Sequence, residues 1–286
     1  MNIININSDI EINPSQKSFI EEVLFCRDDH HMMKGDSFYW LSKQIPIFLL
    51  NEDSMRKNEI GREYNRYEPS DEKEPHEDSV RENEIERENR YEPNYKKKPH
   101  TEWLGFYGRD SFGLFEHTPR IAICPERIAS CVKNDEEFMF LLAIVVVHEF
   151  AHAKMDYRDE NIKYRKKDLF WHWIEESMAN KFTLEVFRNY FYCDRHKKNS
   201  FRNKNWEEDL FDFVKNFIKH QPPEYALGYE IFIKDVAQWC SWRNSKNKLG
   251  GQKRIQQKNN WLKYMQNNYN NINARKAKEL YDELFK

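Results

Sequence analysis

Apolar and polar positions follow several different periods along this chain. Between Ser15 and Met33 the apolar residues fall at helical spacing, and Phe38 to Leu50 reads as a strand or a short helix. Gly105 to Gly108 and Ser111 to Cys124 have the residue types of strands, the second interrupted at His117-Thr118-Pro119. Arg120-Ile121-Ala122-Ile123-Cys124 is the clearest of the short strands, and Pro125 stops it. A helix is then predicted from Asn134, which can cap it with Glu137 at the third position, through Phe138, Leu141, Val145, His148 and His152 to about Asp156. A charged loop, Tyr157 to Asp168, separates it from a second helix running from about Trp171 to Tyr192. Helical patterns return at Tyr225 to Trp242, after Gln221-Pro222-Pro223, and at Ala274 to Lys286.

Residues 51–101 break this pattern. Asn65-Arg66-Tyr67-Glu68-Pro69 recurs as Asn89-Arg90-Tyr91-Glu92-Pro93, and both copies run on to a Pro-His pair. Upstream, Arg56-Lys57-Asn58-Glu59-Ile60 recurs as Arg81-Glu82-Asn83-Glu84-Ile85. The two offsets differ by one position, so one copy carries a single-residue insertion or deletion. Two copies are too few for a solenoid. The segment has almost nothing apolar to bury against its ordering entropy, so it reads as a solvated, disordered insert between a residue 1–50 segment and a core at 102–235. The sharper reading is an insert that binds a partner or regulates the core.

Composition agrees with a core carrying charged appendages. The chain has 286 residues, 39% hydrophobic and 33% charged. That is less apolar and more charged than an average globular domain. A net charge of −2 singles out no partner. The five cysteines form no C-x-x-C pair and read as reduced thiols. No basic-then-apolar leader opens the sequence, and the longest apolar run, Phe138 to Val147, is shorter than a membrane span. A cytoplasmic protein without membrane contact is therefore expected. The 236–286 region is basic: from Val236 to Lys278 there are ten Lys or Arg and no acid, interleaved with Trp239, Trp242, Trp261, Tyr264 and Tyr269. Phosphate neutralisation with base stacking would suit nucleic acid, and the charge alone would suit an acidic protein partner. A Lys/Asn-rich composition gives the same appearance with no partner at all.

The chemistry sits at the end of the apolar helix, in His148-Glu149-Phe150-Ala151-His152. Residues i and i+4 share a helix face, so both imidazoles of an H-E-x-x-H can reach one metal ion, while the intervening glutamate can reach a water on that ion. Catalytic zinc takes three protein ligands and leaves one position open. The second helix offers Glu175 and Glu176 as the third ligand. Glu176 shares a face with Asn180 and Thr183, and Glu175 is expected to face aside.

His148-Glu149-x-x-His152, followed on the second helix by Glu176-x-x-x-Asn180, resembles the gluzincin metallopeptidases, whose pattern is H-E-x-x-H on one helix and E-x-x-x-D on the next. The resemblance covers residues 103 to 192. It implies an α+β zincin-like domain with a small mixed sheet, an active-site helix and a glutamate helix, to which the sequence pattern adds a helical C-terminal part. It also implies Zn2+ on His148, His152 and Glu176, with Glu149 as general base. Asn180 stands where the family has an aspartate that orients a ligand histidine, and Asp156 matches a further aspartate frequent in the family. Ala179-Asn180-Lys181-Phe182 is similar to the A-N-x-F of the small repressor-cleaving metallopeptidases of bacteria, and Arg120 to Cys124 matches the edge strand that pairs with substrate in zincins.

The family also uses a His or Tyr from a later segment as a second donor to the oxyanion. Tyr225, Tyr229, His220 and His172 are the candidates, with Tyr225 and Tyr229 favoured as one helical turn apart. Asp28-Asp29-His30-His31 reads as a solvated polar end rather than a second metal site, and His117 as a turn residue beside the cleft. The expected function is zinc-dependent endopeptidase cleavage of a protein or peptide. The alternatives are a regulatory peptidase acting on a DNA-binding repressor, and a zinc-containing interaction module with a basic nucleic-acid- or protein-binding tail.

Overall fold

A computed structural model describes residues 1–6, 8–25, 43–57, 103–108, 119–157, 169–192, 204–226 and 252–283. The bulk of the repeat, the Asp28–His31 cluster, His117, Tyr229, Trp239 and Trp242 lie outside the described residues.

The strands are β1 (Ile3–Ile6), β2 (Ile47–Leu50), β3 (Gly105–Gly108) and β4 (Arg120–Ile123). They form one mixed sheet in the order β1-β2-β4-β3. β1 and β2 pair in parallel with Ile3 opposite Ile47, β2 and β4 in parallel with Ile47 opposite Ile121, and β3 runs antiparallel with Gly105 opposite Ile123. The alternation of strand side chains divides the sheet's two faces. Ile47, Leu49, Ile121 and Ile123 enter the main core, and Phe48, Leu50, Ala122 and Cys124 pack with Met55 and Phe106 on the other side.

Two expectations change here. The 1–50 segment contributes two of the four strands, so the sheet runs across the boundary drawn at residue 50. β4 is not an edge strand: β2 and β3 flank it, and all four of its residues are buried. Among the described residues the edge near the motif helix is β3, whose burial alternates. An apolar Ile-Ala-Ile run is what a strand enclosed on both sides requires, and it marks a central strand rather than an edge.

The helices are α1 (Pro14–Phe25), α2 (Pro125–Ser130), α3 (Asp135–Tyr157), α4 (Leu169–Tyr192), α5 (Lys204–His220), α6 (Pro223–Ala226), α7 (Gln252–Asn267) and α8 (Ala274–Glu283). Their starts follow from sequence. Asn13 and Gln16 cap α1 reciprocally, each side-chain oxygen accepting the other's N–H at 2.9 Å, with Pro14 at the first position. Asn134 accepts from the Glu137 N–H at 2.9 Å, while Glu137 reaches one residue further back than a standard capping box, to the Lys133 N–H.

α3 is long and apolar enough to cross a membrane, yet that window is 89% buried inside the protein. It is a core helix, with α1, α4, α5 and the sheet packed around it. A second core joins α3 and α4 to the C-terminal helices through Ala151, Met155, Trp173, Phe182, Trp261 and Tyr281. Trp173 meets Trp261 and Tyr269 edge-on, with centroids at 5.8 and 6.2 Å. Trp261 and Tyr269 are thus engaged in packing, and on α8 Arg275 and Lys276 pair with Glu279 while Lys278 pairs with Asp282.

Where β3 meets α3, the backbones come close. A Cβ on Gly105 would stand 2.7 Å from Val145 Cγ1 and 3.1 Å from the Ala122 carbonyl oxygen. Val145 lies one turn before His148, so this approach sets the motif helix against the sheet. Gly105→Ala is expected to lower stability by about 1–3 kcal/mol, the usual cost of overpacking a core. An unchanged urea midpoint would show that the strand yields freely.

A half-buried ion pair ties residues 51–57 to α2. Arg127, 3% exposed, forks onto Glu52 with Nε–Oε2 at 2.6 Å and Nη2–Oε1 at 3.0 Å, and donates through Nη1 to the Trp103 carbonyl at 2.8 Å. The Arg127 hydrogen bond, against a partial opposing effect of burial and with help from Arg56, holds the Glu52 carboxyl at about 2, below its ordinary 4.5. A depressed carboxyl pKa stabilises the fold above the unfolded value, and that contribution is lost as pH falls from 4.5 through 2. Glu52→Gln is expected to cost about 1–2 kcal/mol near neutrality, Glu52 being one-third exposed and its attraction therefore screened. The gap between the two proteins should close as pH falls through that window, as chemical denaturation at several pH values will measure.

Candidate metal centre

α3 and α4 pack side by side, and the residues singled out on each face one another. His148 Nε2, His152 Nε2 and Glu176 Oε2 form a nearly equilateral triangle: 3.2 Å between the two nitrogens, 3.2 Å from His148 to Glu176 and 3.3 Å from His152 to Glu176. Ligands about 2.0–2.1 Å from a tetrahedral zinc ion lie about 3.3–3.4 Å apart, so these atoms match three corners of such a tetrahedron. The donor set, two imidazoles and a carboxylate, is one zinc accepts. Among the described residues this is the group of His, Cys, Asp or Glu that converges closely enough to hold a metal.

The surroundings favour positive charge. His148 and Glu149 are 9% and 7% exposed. Burial works against a charged His152 ring. The Glu176 carboxylate, by charge and hydrogen bond, with Glu149 and Glu175 adding their charge, outweighs it and holds the His152 pKa up at about 9. Glu149 is therefore near enough to the centre for its charge to be felt there. Glu175 is half-buried and is not among the converging donors, though its charge adds to the pull on His152.

Asn180, 1% exposed, lies behind His148 with Oδ1 2.9 Å from Nδ1. Its own amide nitrogen donates to Gln221 Oε1 at 2.9 Å and to the Tyr225 carbonyl at 2.8 Å. Thr183, on the same face, is buried and donates to the Ala179 carbonyl of its own helix at 2.9 Å.

Of the later candidates, Tyr225 reaches the site: its ring lies 6.1 Å from that of His148, tilted by 35°. His220 is exposed at the end of α5, with Nδ1 2.7 Å from the Asn216 carbonyl of its own helix, and it lines a surface hollow with Cys131 and Phe217. The backbones of Asp156 and His172 lie in α3 and α4, and their side chains are outside the described set. Sequence reasoning missed Gln221 and the Tyr225 carbonyl. The one signal was the Pro222-Pro223 turn, which ends α5 and starts α6 beside α4.

Comparison of this chain with protein-family models, with curated proteins and with solved structures returns no match.

Proposed function

We propose that this protein is a zinc-dependent peptidase with a gluzincin-like site on a zincin-like α+β core. The observation that carries the reading is the triangle of His148 Nε2, His152 Nε2 and Glu176 Oε2 at 3.2–3.3 Å. A bound zinc ion would polarise the scissile carbonyl and lower the pKa of a water at its fourth position. Glu149, buried next to His148, would act as the general base, holding the proton and handing it to the leaving amine. His148, His152 and Glu176 fix the centre on two packed helices, which keeps the reacting groups in register. Tyr225, whose ring lies against His148, is the described candidate for a second donor to the oxyanion. An extended peptide would lie along β3, an edge of the sheet among the described residues.

A catalytic site is favoured over a structural one because three described donors converge, which leaves a coordination position for water. The regulatory-peptidase reading rests on the A-N-x-F resemblance alone. The test is hydrolysis of a mixed peptide library by zinc-loaded protein, with Glu149→Gln as the control. Cleavage shared equally by both proteins would assign it to a contaminant and remove the proposal.

A further inference from the structure

We propose that Gln221 and the backbone carbonyl of Tyr225 are positioning groups that lock the Asn180 amide and, through it, the orientation and tautomer of His148, so that the site requires asparagine at 180. The inference rests on the metal-binding reading and adds a layer behind it.

One atom in this relay has no choice of role. A backbone carbonyl oxygen only accepts hydrogen bonds. The Tyr225 carbonyl belongs to the four-residue helix α6. The Asn180 atom 2.8 Å from it must therefore be the NH2 group. That choice leaves Oδ1 facing His148 Nδ1 at 2.9 Å. An amide oxygen also only accepts, so Nδ1 must carry the proton. A neutral His148 then presents an unprotonated Nε2 toward His152 and Glu176, as a metal ligand must. Gln221 Oε1 takes the second amide proton at 2.9 Å and removes the remaining freedom of the amide to rotate.

The same geometry accounts for the departure from E-x-x-x-D. An aspartate at 180, a position 1% exposed, would set a carboxylate oxygen against the Tyr225 carbonyl, two acceptors at 2.8 Å. Gln221 can turn its amide to donate, but the backbone carbonyl cannot. The charge that elsewhere raises histidine basicity would here act as a repulsion.

The test is zinc affinity of the full chain, measured by competition with a chromophoric chelator, with no substrate present. Asn180→Asp is expected to bind zinc about ten- to a hundredfold more weakly than wild type, the range seen when an outer partner of a ligand histidine is lost. Gln221→Glu, which keeps an acceptor, is expected to stay near wild type, and Gln221→Leu to fall below it. Asn180→Asp binding as tightly as wild type would overturn the proposal. If that variant does not fold, equal affinities for Gln221→Leu and Gln221→Glu would do the same. Nitrogen-15 shifts of His148 in the metal-free protein give an independent readout: a proton on Nδ1 is expected, and an unprotonated Nδ1 refutes the relay. Zinc binding without peptidase activity would sink the proposed function and leave the relay standing. Should wild type bind no zinc, the metal reading fails and the nitrogen shifts alone decide the relay.

Discussion

Glu149→Gln is expected to keep zinc at the wild-type level and to lower kcat for peptide hydrolysis by about 10²–10⁴, the usual contribution of a general base. The substitution is close to isosteric. It touches none of the three atoms of the donor triangle, and glutamine can still hydrogen-bond a water. What it cannot do is accept the proton. Removing a carboxylate that adds to the negative surroundings of His152 also makes the centre less attractive to a cation, but only as a neighbour and not as a ligand. Metal content by plasma mass spectrometry and turnover on a peptide found in the library separate the two effects. A variant that lost zinc and activity together would make Glu149 a binding residue instead of a base.

Glu176→Ala is expected to abolish stoichiometric zinc. It removes one of three converging donors and leaves His148 and His152 with Nε2 atoms 3.2 Å apart. The drop in affinity should exceed the ten- to hundredfold typical of outer partners. Glu175→Ala serves as the comparator, since Glu175 adds charge near His152 but is not one of the converging donors. Retention of one zinc per chain by Glu176→Ala, after dialysis against a weak chelator, would falsify its place in the ligand set.

How much of this was legible in the sequence depended on whether each feature was local. α3 and α4 were readable because an apolar run with a cap at Asn134, and an aromatic-rich run after a charged loop, fix helices by nearby residues. The convergence of His148 and His152 was readable from i, i+4 spacing, whereas Glu176 was singled out by the resemblance of the second helix to a known pattern. The sheet was less readable. β4 has the composition of a good strand, but which strands flank it is decided by β2, far upstream in the chain, in the ladder that sets Ile47 opposite Ile121. Strand order is a property of the assembled fold, and no periodicity within Arg120–Ile123 encodes it. The Tyr225 carbonyl was out of reach altogether, because a backbone acceptor leaves no residue type to notice.

The order of strands in the sheet also bears on how this sequence was able to change. β2 and β4 are neighbours, yet the chain between them contains the duplicated unit. The entropic penalty of closing such a connection grows only with the logarithm of its length, about 0.6 kcal/mol for a full doubling even if the whole connection were flexible. A tandem duplication there need not alter any strand register or the helices that carry His148, His152 and Glu176. Selection would have had almost nothing to act against in the fold, so the extra copy could arise and persist without first being useful.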